Sequence, residues 1–151
     1  MILIEDLMIG DLVRITIEGQ KYPAVVNYMK HYTEEIGVAY LAAPGDWEDG
    51  EGYDDIMPMN LTAAFLEGNG FKKFDFRDID GQHQWSWWLD TLTSVTLWCR
   101  ELNDNTEDGW MVRIESPLVS CCLNIVHVHE LQHTLRLCGI EKDLTPSPPT
   151  Q

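Results

Sequence analysis

The chain has 151 residues, 44% of them hydrophobic, which suits one domain or two small modules with a real core and argues against wholesale disorder. Ten Lys and Arg face 25 Asp and Glu, a formal charge of −15. Such a surface repels a duplex phosphate backbone and an anionic lipid layer, so nucleic-acid and membrane binding are disfavoured, whereas a basic protein partner fits.

The opening stretch, MILIEDLMIGDL, has Glu5 and Asp6 inside its apolar run and no basic segment ahead of it, unlike a signal peptide. No apolar run approaches the roughly 18 residues of a membrane span, so a cytoplasmic protein is expected. Cys99, Cys121, Cys122 and Cys138 form no CxxC pair and read as reduced thiols of the core.

In chain order, Met8-Ile9-Gly10-Asp11-Leu12-Val13 leads into a first strand. There Val13, Ile15 and Ile17 alternate with Arg14 and Thr16. Glu18 to Lys21 reads as a turn, Tyr22–Met29 as a second strand with Pro23 near its start, and Ile36–Ala42 as a third. Pro44 to Asp55 reads as an acidic loop, closed by Ile56-Met57-Pro58. This pattern of short strands suits a small SH3-like barrel.

Thr62 is a candidate N-cap for a short helix from Ala63 to about Glu67, and Asn69-Gly70 is its stop. From Phe71 to Ile125 the alternation of Trp85, Trp87 and Leu89, of Val95, Leu97 and Cys99, and of Trp110, Val112 and Ile114 predicts an antiparallel sheet. Ser120 to Ile125 forms its last strand, and Asp80-Gly81 and Asp108-Gly109 are hairpin turns. A final helix is predicted from about Val126 to Cys138. Its apolar stripe of Val128, Leu131, Leu135 and Cys138 lies on the sheet, and Gly139 stops it. The Pro-rich end is expected to be a mobile tail.

The expected fold is therefore α+β: an SH3-like β-barrel over residues 1–58, packed on an antiparallel sheet with a short helix and a C-terminal amphipathic helix over 59–143, then a disordered tail over 144–151.

Three constellations could carry chemistry. His129-Glu130-Leu131-Gln132-His133 is a literal H-E-x-x-H, in which His129 and His133 could chelate zinc while Glu130 activates a water. A third ligand is not evident, since Arg136 and Gly139 stand where the extended motif has its glycine and last histidine. The alternative is an exposed polar helix face of His129, Gln132, His133 and Arg136. The acidic segment holds Asp46, Glu48, Asp49, Glu51, Asp54 and Asp55, with Trp47 and Tyr53 among them. It lacks the EF-hand order needed for calcium and reads better as a solvated loop able to meet a basic partner. Trp85, Trp87 and Trp88 could stack on a ligand, but alternation places Trp88 opposite the other two, which favours core or interface. A GxSxG elbow, a P-loop and a dinucleotide GxGxxG are all absent from the sequence.

Met8-Ile9-Gly10-Asp11-Leu12-Val13, Asp55-Ile56-Met57-Pro58 with Leu61-Thr62, Asn69-Gly70-Phe71, and Val128-His129-Glu130-Leu131-Gln132-His133 with Cys138-Gly139 together carry a resemblance. From about Leu7 to Asp143 the chain resembles a family of small uncharacterised proteins encoded by gut bacteria and their phages or mobile elements. The last motif of that family usually reads V-H-x-L-Q-N. His129, Leu131 and Gln132 match it, whereas Glu130 and His133 are not required by it. The resemblance implies that the H-E-x-x-H is incidental, and it carries no activity with it.

The function expected from all this is a non-enzymatic acidic interaction protein, without a cofactor, that binds a basic protein surface through Asp46–Asp55. An inhibitor mimicking nucleic-acid charge would fit a phage setting. The alternatives are a zinc-dependent hydrolase built on His129, Glu130 and His133, and a small-ligand binder using a groove between barrel and sheet.

Overall fold

Period-2 patterning governs most of the chain, and the strands follow from it. The computed structural model describes residues 6–17, 20–30, 35–40, 47–51, 56–74, 83–99 and 109–146. They form two antiparallel five-stranded sheets and two helices, an α+β arrangement that is mostly β. The chain divides into two compact units, Met1–Asn60 with His127–Gln132, and Leu61–Val126 with His133–Gln151.

The first unit contains β1 (Leu12–Ile17), β2 (Gln20–Lys30), β3 (Glu35–Tyr40), β4 (Trp47–Glu51) and β5 (Ile56–Pro58), in the order β4-β3-β2-β1-β5. The β1/β2 hairpin pairs Leu12 with Val25 and Ile17 with Gln20, so β2 begins inside the segment expected to be a turn. Pro23 lies just ahead of the described ladder to β3, which starts at Ala24. Val13, Ile15, Ala24, Val26 and Ile56 are fully buried, as their alternation requires. Among the described residues the ladder is open: β4 and β5 end it and are not paired with each other, so the expected closed barrel is not seen.

The second unit opens with helix α1 (Ala63–Gly68). The Thr62 Oγ1 accepts the Phe65 N–H at 3.2 Å, a side-chain N-cap. At the other end Gly70 N–H donates to Glu67 O at 3.1 Å and Phe71 N–H to Leu66 O at 3.0 Å, the paired bonds of a Schellman stop. The sheet that follows is a meander, β10-β9-β8-β7-β6, made of β6 (Lys72–Phe74), β7 (His83–Trp88), β8 (Ser94–Cys99), β9 (Trp110–Glu115) and β10 (Ser120–Ile125). In β9 the alternation is complete: Trp110, Val112 and Ile114 are buried, and Arg113 and Glu115 pair on the exposed face. Trp85 meets Trp110 edge-on at 5.2 Å between ring centroids. Both buried indole N–H groups are satisfied, Trp85 by Glu67 Oε1 at 3.0 Å and Trp110 by Leu61 O at 2.8 Å.

Helix α2 (Val128–Leu137) repeats the same stop, with Gly139 N–H to Arg136 O at 3.0 Å and Ile140 N–H to Leu135 O at 2.9 Å. The stripe residues Val128, Leu131 and Leu135 are buried. Val128 and Leu131 group with the first unit, and Leu135 and Cys138 with the second.

Two further expectations are corrected. Leu89 and Asp90 belong to a turn rather than to β7, because the Asp90 carboxylate accepts the Leu92 and Thr93 N–H groups at 2.7 and 2.8 Å and bends the chain there. Leu144 and Thr145, expected in the tail, are held in place. Leu144 is buried, and buried Asn69 donates from Nδ2 to Thr145 O at 2.8 Å while its Oδ1 accepts the Thr145 N–H at 2.8 Å. Residues 80–81 and 147–151 lie outside the described residues.

Asn69 also donates to Phe65 O at 2.9 Å, so one side chain closes α1 and anchors the segment after α2. Asn69→Ala leaves these partners unsatisfied and is expected to cost about 2 kcal/mol by urea unfolding, with faster amide exchange at Thr145.

Candidate functional site

The two terminal motifs noted in the sequence meet in the first unit through one side chain. Gly10 has φ +93°, a left-handed conformation that a side chain would strain. Its N–H donates to Val26 O at 2.7 Å, which turns the chain into β1. Asp11 is fully buried, and its Oδ2 accepts the Met8 N–H at 2.7 Å. β5 reaches only as far as Val13, so on that side Leu12 N–H has no strand partner. Gln132 supplies one: its Oε1 accepts Leu12 N–H at 2.8 Å, and its Nε2 donates to Gly10 O at 3.1 Å. A single buried amide thus satisfies a donor and an acceptor 120 and 122 residues away.

The same helix turn answers the H-E-x-x-H question. His129 is 5% exposed and its ring stacks on His127, with centroids 5.5 Å apart and planes 12° off parallel. Glu130 is the N3 residue of α2, and its Oε2 accepts the N–H of the N-cap residue His127 at 2.8 Å. That is the backward-reaching half of a capping box, and the negative charge also favours the helix N-terminus. Val128 N–H, another unpaired donor of the first turn, goes to Met59 O at 2.9 Å. His133 is half-buried and Arg136 exposed. The polar face of α2 is therefore not an exposed one: His129 and Gln132 are buried. Among the described residues, no group of three or more His, Cys, Asp or Glu gathers to hold a metal ion.

The acidic segment is not all loop. Trp47, Glu48, Asp49 and Glu51 lie on β4, where Trp47 pairs with Ala39, Glu48 with Val38 and Glu51 with Ile36. β4 is the outermost strand of the described sheet. Asp46, Tyr53, Asp54 and Asp55 lie outside the described residues. The pairing with β3 overrides weak strand propensity here, and charge on an edge strand is a common way to keep it solvated.

The three tryptophans of β7 do not form a platform. Trp85 is core, Trp87 is half-buried against Phe71 with the Lys142 Nζ 4.3 Å from its ring centroid, and Trp88 is exposed. Burial pulls the Lys142 ammonium below its ordinary pKa.

Sequence reasoning missed one feature. In the register of the second sheet Trp88 pairs with Ser94, Ser94 with Glu115, and Glu115 with Ser120. The β7/β8 and β9/β10 turns therefore lie at the same end of the sheet, about 10 Å apart at two strand spacings. Both are tightly built. Hydrogen bonds from Leu92, then Thr93, hold the Asp90 carboxyl below the usual range, and the Ser116 Oγ accepts the Val119 N–H at 3.0 Å. Yet they present Trp88, Leu89, Leu92 and Leu118 at 58, 52, 68 and 94% exposure. The available signal was the run of large apolar residues around two turn-forming groups, Asp90 and Pro117.

Comparison with family models, with curated proteins and with solved structures finds no match.

The Gln132 amide yields a pH-dependent test. In Gln132→Glu the Nε2 donor becomes a buried carboxylate oxygen facing Gly10 O, which disfavours the charged form and raises the folded-state pKa above the ordinary value near 4.3. The variant is expected to lie close to the parent at about pH 4, where the protonated acid can still donate. Its deficit should grow to about 2 kcal/mol as pH rises through the raised pKa towards 7. Urea unfolding of both proteins at matched pH values checks this, and a pH-independent difference would count against the clamp.

Proposed function

We propose that this chain is a non-enzymatic interaction protein that binds a basic protein surface, in the cytoplasm and without nucleic acid or membrane. The apolar hairpin tips of the second sheet carry the reading. Large apolar side chains held on short, hydrogen-bonded turns keep unfavourable contact with water, and a partner surface removes it. Because the turns are preformed, little conformational entropy is lost on docking. The charge of −15 selects the sign of the partner and steers its approach, while the tips supply the short-range contact.

The acidic residues of β4 support the same reading. Among the described residues β4 is outermost, an arrangement that lets an extended segment add beside it, and its carboxylates favour a basic one. An SH3-like first unit belongs to the proposal as well, supported by β5 returning beside β1 at the end of a four-strand meander. On the zinc alternative, Glu130 is engaged at the helix cap and the buried ring of His129 lies against His127.

Two measurements test the proposal. In a titration with a cationic Leu/Lys amphipathic peptide, the amide signals of residues 88–93 and 116–119 are expected to move, and affinity is expected to fall several-fold as salt rises. The Trp88→Ser/Leu118→Ser protein should lose that response while its thermal midpoint is retained. Salt-insensitive binding, no binding, or a preference for lipid vesicles would each overturn it. For the metal alternative, chelation with EDTA is expected to leave the thermal midpoint unchanged, and a midpoint that falls with EDTA and returns with zinc would revive the hydrolase.

A further inference from the structure

Two half-buried thiols face each other in the second unit. Cys121 lies in β10 opposite Ile114, and Cys138 follows the last residue of α2. Their Sγ atoms are 3.7 Å apart, within thiol hydrogen-bond range. Cys122, next along β10, is exposed, as alternation on a strand requires, and Cys99 is buried. The chain therefore presents one facing pair and two thiols in different surroundings.

We propose that Cys121 and Cys138 are a redox modification site, oxidised reversibly by a small-molecule disulfide to a bridge that fastens the end of α2 to β10. Disulfide sulfurs sit about 2.05 Å apart, so closure asks for a movement of roughly 1.7 Å, shared between two side chains. The elements that carry them are already fixed. Cys121 belongs to a strand paired along its length with β9, and the Cys138 N–H donates to Thr134 O at 3.1 Å and to Leu135 O at 3.2 Å.

The order of steps follows from the thiols' surroundings. Burial first, then the hydrogen bond and the charge of the neighbouring Cys121, push the Cys138 thiol up to about 11, so at neutral pH it is protonated and a poor nucleophile. The first attack therefore comes from Cys121. With oxidised glutathione, the Cys121 thiolate attacks one sulfur, forms a mixed disulfide and expels one glutathione thiolate. Cys138 then loses its proton to solvent, attacks the Cys121 sulfur and expels the second glutathione thiolate. The two protein thiols are oxidised to one disulfide, and one oxidised glutathione is reduced to two molecules of glutathione. Excess reductant runs the sequence backwards.

The bridge closes the stretch of chain from Cys121 to Cys138 and restricts the unfolded chain, so the oxidised protein should melt higher, by about 5–10 °C for a loop and a chain of this size.

The test uses the full chain, reduced, desalted and incubated with oxidised glutathione, then alkylated and digested with trypsin without reduction. The expected product is a cross-link between the peptide from Ile114 to Arg136 and that from Leu137 to Lys142, with the mass of two hydrogens lost and reversal by dithiothreitol. The Cys122→Ser protein should form the same bridge and show the same rise in midpoint. The Cys121→Ser protein should show neither, and because it keeps a small polar group at that position its own reduced midpoint reports whether it still folds. Glutathione confined to Cys122, a Cys122–Cys138 link, dimers, or an oxidised protein that melts no higher than the reduced one would each overturn the proposal.

Discussion

A primary amide can serve one backbone donor and one backbone acceptor at once, and that double satisfaction underlies the first unit. Where β1 begins, the chain turns through left-handed Gly10, and one backbone N–H and one C=O are left facing a core that excludes water. The amide of Gln132 takes both. An aliphatic side chain of the same size would fill the space and leave two buried polar groups unmet, and a charged one could not complete both bonds. The buried Asp11, the bonds of Val26 to Gly10 and Asp11, and the buried Val13 and Ile15 lie around the turn closed in this way.

Helix ends do much of the remaining positioning. Thr62 starts α1 and Glu130 closes the start of α2, and both helices stop in the same hydrogen-bond pattern. In each stop the residue after the glycine, Phe71 or Ile140, is buried together with the residue whose carbonyl it bonds, Leu66 or Leu135. Polar satisfaction and apolar burial are therefore achieved by the same few residues, and the chain leaves each helix in a defined direction. Asn69 extends the scheme by tying the first stop to Thr145.

Much of this was legible in the sequence, and most of the misses share a physical cause. Elements set by local rules could be read directly: the alternation in β8 and β9, the cap at Thr62, the stops after Asn69 and Cys138, and the apolar stripe of α2. What could not be read depends on partners distant in the chain. A polar face reads as exposed unless its partners are known, and those of Gln132 lie 120 and 122 residues away, so the sequence places His129 and Gln132 in solvent whereas both are buried. Local propensity gives no strand at Trp47–Glu51, where pairing with β3 decides the outcome. The H-E-x-x-H pattern was visible, but not that its glutamate answers the N–H of His127. The apolar tips were hidden for the opposite reason: Trp88 and Leu89 continue the strand pattern, and only the bend at Asp90 exposes them.

The make-up of the first unit has a consequence for synthesis. Residues 127–132 belong with residues 1–60, so the unit is discontinuous along the chain, with most of the second unit lying between its parts. An N-terminal module normally has the chance to fold as soon as it emerges from the ribosome. Here β1 and β2 can pair early, but the group that satisfies the turn at Gly10 is made only after the whole second sheet. Until then the backbone groups that Gln132 serves can be satisfied only by water. The contact that completes it has a very large sequence separation, the kind that slows folding by the entropy of loop closure. The second unit has all its strands made before that contact can form.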